Sequence, residues 1–137
     1  MTMIRISVGS YEFLARLEET DAPQTCLAFA SLLPLRGRLC QARWSGQSAF
    51  MPLGDLCLNL PAENATSYPA PGQLLLYPKG ISETEILFPY GPTCFASKAG
   101  QLAGNHFLTL MADTGELASL GETVWHQGAQ DIEFSRT

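Results

Sequence analysis

Short alternating runs, broken every few residues by turn formers, dominate this chain. "MIRISVGSYEFLARL" sets the pattern. Ile4, Ile6 and Val8 fall on one face, and Tyr11, Phe13, Ala15 and Leu17 on one face of the next run. Gly9-Ser10 lies between them, which predicts a β-hairpin with one buried side per strand. Further short runs follow at 38–44, 49–53, 73–77, 84–88, 106–112 and 130–134, with Gly46, Gly54, Pro61, Pro69, Pro71-Gly72, Lys79-Gly80 and Gly91-Pro92 between them. Many short strands with regular turns predict a β-sandwich or barrel, and the last strand is placed to return and close it.

The period changes from two to 3.6 in "TDAPQTCLAFASLLP". Asp21 is a candidate cap, Gln24 stands three residues later, and Pro23 suits a first turn. Cys26, Phe29, Ala30 and Leu33 make one apolar face, and Pro34 ends it. This is the main expected helix, plugging one end of the sheet. A short second helix is expected over 115–124. With no repeat, low-complexity tract or linker, 137 residues predict a single domain, 1–137.

Charge narrows the function classes. The formal net charge is −5, with eight Lys and Arg that do not cluster. Neither a nucleic acid nor an anionic membrane is an expected partner of such a surface. No apolar run has the ~18 residues of a spanning helix, and the start lacks a signal-peptide core, so a cytoplasmic protein is expected. Charged residues are 15% of the chain, against about 25% in typical soluble proteins. A surface so poor in charge predicts a homo-oligomer. Cys26, Cys40, Cys57 and Cys94 form no C-x-x-C pair and are expected to be reduced and buried. With only His106 and His126 as histidines and no metal-ligand spacing, neither a metal nor a cofactor is expected.

"RWSGQSAFMPLGD" (43–55) holds the most informative charge. A cation among Trp44, Phe50 and Met51 costs desolvation unless something pairs with it. Arg43 therefore either holds a ligand oxygen or makes a structural ion pair with Glu85 or Asp55. Strand alternation sets Trp44 on the opposite side from Arg43, in a core or oligomer contact. His106 is either an acid–base or hydrogen-bonding group, or a satisfied histidine at a strand start. "PAENATSYPAPG" (61–72) is either a binding rim, offering Glu63, Asn64, Ser67 and Tyr68, or a rigid connection. Its Asn64-Ala65-Thr66 sequon has no meaning in a cytoplasmic protein. In "SKAGQLAGNH" (97–106), Lys98 is a candidate second cation for an acidic ligand.

Three stretches resemble cyclophilins, in the right chain order: "TDAPQTCLAFASLL", "RWSGQSAFMPLGD" and "LAGNHFLTL". The likeness is closer still to an uncharacterised bacterial family of small cyclophilin-like proteins, through "ARWSG", "ENATSYPAPGQLLLYP", "SETEILFPYG" and "FASKAGQLAGNHF". The resemblance implies an all-β, cyclophilin-like barrel with one main and one short helix. In cyclophilins an arginine holds the carbonyl before a proline while apolar side chains seat the ring. Matched by position, Arg43 stands for that arginine, Phe50 and Met51 for its Phe-Met pair, and Leu102 and His106 for its Leu and His. The departures are Ala42 for a His, Leu53 and Glu85 for Gln residues, Leu87 for the proline-seating Phe, and Gln101 for a Trp or His.

The favoured reading is a small-molecule protein, catalytic or not. Its cleft around Arg43 takes a polar ligand such as a carboxylate or amide. Glu85, Gln101 and His106 supply hydrogen bonds, and Phe50, Met51, Glu63, Asn64, Tyr68, Leu87 and Leu102 line the site. The alternatives are a prolyl isomerase using Arg43 and His106, and an oligomeric scaffold with a vestigial pocket.

Overall fold

The computed structural model describes residues 2–137. β1 (Met3–Val8) and β2 (Tyr11–Leu17) form the expected hairpin. Gly9 turns it at φ +54°, a backbone that favours glycine. α1 (Pro23–Ala30) leads to β3 (Leu35–Gln41) and β4 (Gly46–Gly54). A long connection carrying β5 (Ala65–Thr66) reaches β6 (Gln73–Tyr77) and β7 (Thr84–Thr93). The small hairpin β8 (Ala96–Ser97) and β9 (Gly100–Gln101) precedes β10 (Gly104–Leu110), α2 (Thr114–Gln127) and β11 (Gln130–Arg136).

Eight strands close an antiparallel barrel in the order β2-β1-β11-β3-β4-β7-β6-β10, and β10 returns to β2. β11 lies between β1 and β3, with Ile6 opposite Phe134 and Ile132 opposite Gly37. The closing seam pairs Leu108 with Leu17 and Leu110 with Ala15. Inward residues alternate along each strand, so Ile4, Ile6, Val8, Phe13, Met51, Ile86, Phe88 and Phe134 fill the interior.

Opposite ends of the barrel carry the two helices. Phe29 of α1 meets Phe107 and Phe134 edge-on at 4.9 and 5.4 Å. Arg136 Nη2 donates to the Ala30 carbonyl at the same end. α2 sits at the end where the β1–β2 turn lies, its Ser119 and Thr123 hydroxyls paired with the Tyr11 hydroxyl. Its Leu117, Leu120 and Val124 close the core. Gly121 lies against the Tyr90 ring, where a Cβ would fall 2.1 Å from Cδ1.

The helices correct the sequence reading in three respects. α2, with 14 residues, is the longer and α1, with 8, the shorter. Ala22, not Asp21, is the N-cap of α1, and it offers no side-chain bond. The Glu63 carboxylate supplies the missing acceptor from a distant loop, taking the Thr25 N–H at 2.6 Å and the Thr25 hydroxyl at 2.8 Å on one oxygen. Only Cys26 of the four cysteines is buried, its thiol pushed up to about 12 chiefly by burial. Cys57 is exposed, and Cys40 and Cys94 are half-buried.

A second apolar cluster lies outside the barrel wall. Phe50 of β4 faces Leu87 of β7 on the outer surface, and Leu75 and Tyr77 of β6 continue the patch. The segment after β7 folds back over it, adding Phe95 and Leu102. The Leu102 N–H donates to the Phe95 carbonyl at 2.9 Å. β6 and β7 are therefore covered on both faces, which explains their apolar runs over 74–77 and 86–89.

Candidate functional site

The cleft begins where β3 stops. The ladder ends at Gln41, and residues 42–45 bend outward before β4. The bend is held on both sides. The Ala42 N–H donates to the Ser48 carbonyl at 2.9 Å. The buried Ser45 hydroxyl donates to the Ala96 carbonyl at 3.1 Å and accepts from the Ala96 N–H at 3.0 Å. The Cys94 N–H donates to the Ser45 carbonyl at 3.1 Å. Arg43 thus leaves a pinned turn whose geometry is set before any ligand arrives.

A cleft of about 330 Å³ opens beside this turn, a size suited to a small molecule. Arg43, Trp44 and Ser45 form one wall, Ile81, Ser82 and Glu83 a second, and Ala96–Ala99 with Lys98 a third. Phe50 and Glu85 line it from the barrel wall. Leu87 and Leu102, both buried, belong to the apolar cluster that Phe50 joins. The alternation argument for Trp44 is overturned: the chain has left the strand, so Trp44 shares the cleft with Arg43 and is 54% exposed.

Charge in the cleft is unpaired. Neither structural partner expected for Arg43 engages it. Asp55 pairs with Lys79 at 3.7 Å, and among the described residues no ion pair includes Arg43, Lys98 or Glu85. Glu85 is only 9% exposed, and its carboxylate has no hydrogen-bond partner among the described residues, its oxygens keeping contact with the solvent of the cleft. Burial, and then the neighbouring Glu83 charge, push its carboxyl up to about 7. It therefore titrates at neutral pH within reach of whatever enters the cleft.

The other sequence-derived candidates lie elsewhere. Met51 alternates with Phe50 and points into the barrel core, so it does not line the cleft. His106 lies on β10 in a separate chain of contacts. Thr109 donates to Glu18 Oε2 at 2.5 Å, and Arg16 Nε donates to the same oxygen at 3.0 Å. With the Thr109 proton so committed, His106 Nε2, 2.8 Å away, is the donor to Thr109 Oγ1. Nδ1 is then the acceptor facing Asn64 Nδ2 at 3.4 Å, and the same amide donates to the His106 carbonyl at 2.9 Å. Burial holds the imidazole below its usual range, Glu18 opposing.

Glu63 belongs to a third polar group, with Thr25 and the buried Asn105. Asn105 Nδ2 donates to Thr25 Oγ1 at 3.0 Å and to the Pro61 carbonyl at 2.9 Å, while its Oδ1 accepts the Glu63 N–H at 3.2 Å. The exposed Tyr68 hydroxyl donates to Gln101 Oε1 at 3.4 Å, and neither residue lines the cleft. Sequence reasoning missed Ile81, Glu83 and Ser45. Glu83 carried a usable signal: in "SETE" it sits two residues before Glu85 and so shares its face.

Among the described residues no group of three or more His, Cys, Asp or Glu is placed to hold a metal ion. Among the described residues no helix is long and apolar enough to cross a membrane. Two solved structures share the fold. McbB in complex with tryptophan matches with a TM-score of 0.75 at 16% identity, over 98% of this chain and 44% of that one. The chain thus spans less than half the length of McbB. The solution structure of the hypothetical protein AF2241 from Archaeoglobus fulgidus matches with a TM-score of 0.58 at 17% identity, over 99% of this chain and 95% of that one. Among curated proteins nothing matches. The model of the family described as "Protein of unknown function (DUF3830)" matches residues 4–136, and the chain belongs to that family.

Proposed function

We propose that this cyclophilin-like barrel binds a small carboxylate or amide in the outer cleft, with Arg43 as the anchor for its oxygen. The observation that carries this reading is the unpaired Arg43 on a pinned turn, facing a cleft with an apolar Phe50 wall. A guanidinium carried on a fixed turn, with no ion-pair partner among the described residues, is ready to give forked hydrogen bonds to a planar oxygen pair. Lys98 adds a second positive charge, and Trp44 and Ile81 add apolar contact. The tryptophan bound by McbB, itself a carboxylate, is in keeping with this ligand class.

The proline-isomerase reading loses its support. It needs Arg43, Phe50, Met51 and His106 along one groove. Met51 is inside the barrel, and His106 is bonded to Thr109. Isothermal titration with a panel of small carboxylates and primary amides, on wild type and Arg43→Ala, tests the proposal. Binding by wild type that weakens at least tenfold in the variant is expected. A panel that binds neither protein, or both equally, overturns it.

A further inference from the structure

Anchoring a carboxylate on Arg43 leaves the other half of the cleft unexplained. A site built only for an anion gains nothing from Glu83, nor from Glu85 once it ionises, since each negative charge repels the ligand. Yet Glu85 and Glu83 line the same cleft as Arg43 and Lys98. Glu85 is nine-tenths buried with no partner among the described residues, although it stands on a strand where an apolar residue would fit the outer cluster. Resting on the reading above, we propose that the ligand is an ampholyte, carrying an ammonium group as well as a carboxylate. Arg43 and Lys98 hold its carboxylate, Glu85 backed by Glu83 holds its ammonium, and Trp44, Phe50 and Ile81 contact its apolar body.

A proton linkage follows. The charged groups that share the cleft with Glu85 are Glu83, two residues before it, Arg43 and Lys98, and Glu83 is the one whose charge acts on it; Tyr77 lies beside it on β6, its hydroxyl accepting the Ile81 N–H at 2.9 Å. In the empty cleft the Glu85 carboxyl titrates at about 7. An ammonium ligand favours the ionised form, so binding near neutrality releases a proton. Affinity for an ampholyte therefore rises from pH 6 to pH 8. A carboxylate without an amine meets a newly charged Glu85 over the same range, so its affinity falls.

The test is titration calorimetry on the full chain with glycine, alanine, leucine, phenylalanine and tryptophan, each beside its deamino acid, at pH 6 and pH 8. At least one amino acid is expected to bind tenfold or more tighter than its deamino acid at pH 8, with opposite pH trends for the two. Glu85→Gln is expected to remove the advantage and both trends while the deamino acid still binds. Deamino acids that bind through Arg43 as well as their amino acids do would overturn the ampholyte and leave the carboxylate reading standing. If no member of either series binds, both fall.

Discussion

Two polar regions on the barrel wall contain much the same chemistry and treat it in opposite ways. Around β10, Arg16, Glu18, Thr109, His106 and Asn64 form a continuous chain in which each side chain has a partner. In the outer cleft, Arg43, Lys98, Glu83 and Glu85 stand in one small space, and no ion pair among the described residues joins them. A satisfied network holds the fold in one arrangement and has no free valence for a ligand. The exposed Arg43, Lys98 and Glu83 stay hydrated and free to engage a partner, while Glu85, buried and without a side-chain partner among the described residues, is costly to the fold when ionised. Under the proposed function, the contrast separates residues that hold the fold from residues that meet a ligand.

The Thr25–Glu63–Asn105 group makes the strongest test of the structural half. Asn105→Ala removes an acceptor and two donors at once in a buried setting. A loss of about 3 kcal/mol is expected, since each orphaned partner carries its desolvation penalty. Thermal unfolding reads it as a fall in Tm on the order of 10 °C. A fall of under about 2 °C would show that satisfaction of these groups does not hold the loop to α1.

Next in size is Glu85, where the sign reverses. Its folded-state value of about 7 lies above the ordinary carboxyl value, so the fold favours the protonated form. The stability this contributes is complete below the unfolded value and is lost as pH rises through about 7. Glu85→Gln keeps a neutral side chain at every pH. It is expected to match wild type at pH 4, below the unfolded value, and to exceed it by about 2 kcal/mol at pH 8.5, an order-of-magnitude figure. Denaturant unfolding at the two pH values measures this. Equal stability at pH 8.5 would mean that Glu85 is already paired or hydrated when ionised, and the contrast would break.

His106 carries the opposite pH signature and a smaller effect. Its imidazole is held below the usual range by burial, so its contribution is present above the unfolded value and fades as pH falls through the folded one. Thr109→Val keeps the shape and cuts the chain from His106 to Glu18. A cost of about 1 kcal/mol is expected, with no change in ligand affinity, because neither residue touches the cleft. A titration of the His106 ring signals by NMR should still read below the ordinary histidine value, because burial, its main cause, is preserved by the substitution. Lost binding in this variant would join the two regions into one site.

The fold was legible because period and turn chemistry are local. Ile4, Ile6 and Val8, the Gly9 turn and the apolar face of Cys26 and Phe29 all sit where alternation and helical spacing put them. The site residues Phe50, Glu85 and Leu87 were named through the cyclophilin resemblance, not through local pattern. The structure sets them on one face because β4 pairs Phe50 with Leu87, and Glu85 lies two residues before Leu87 on β7. What local pattern could not supply is where a strand ends. Trp44 was misplaced because β3 stops at Gln41, and a bend fixed by Ser45 and Ala96, 51 residues apart, turns it into the cleft. Nor could it supply contacts made in trans. Glu63 caps a helix 38 residues away, and His106 spends its ring on Thr109 and Asn64.

The smallest expected effect on stability is at Arg43, and it is the sharpest form of the comparison. The side chain is exposed and forms no ion pair among the described residues, so Arg43→Ala should leave the unfolding free energy within about 0.5 kcal/mol of wild type. The turn itself survives, because its bonds are made by the backbone of Ala42 and by Ser45. A paired structural arginine would behave otherwise: removing it strands its partner, at a cost of several kcal/mol where the pair is buried. Chemical denaturation of Arg43→Ala beside Arg16→Ala compares the two cases in one molecule. Arg16 shares Glu18 Oε2 with Thr109, so its loss leaves a half-buried carboxylate short of a donor. The Arg16 variant should be the less stable of the two, and the Arg43 variant the one that loses carboxylate binding. If Arg43→Ala proves the more destabilising, the guanidinium is part of the fold, and the cleft loses its anchor as a binding site.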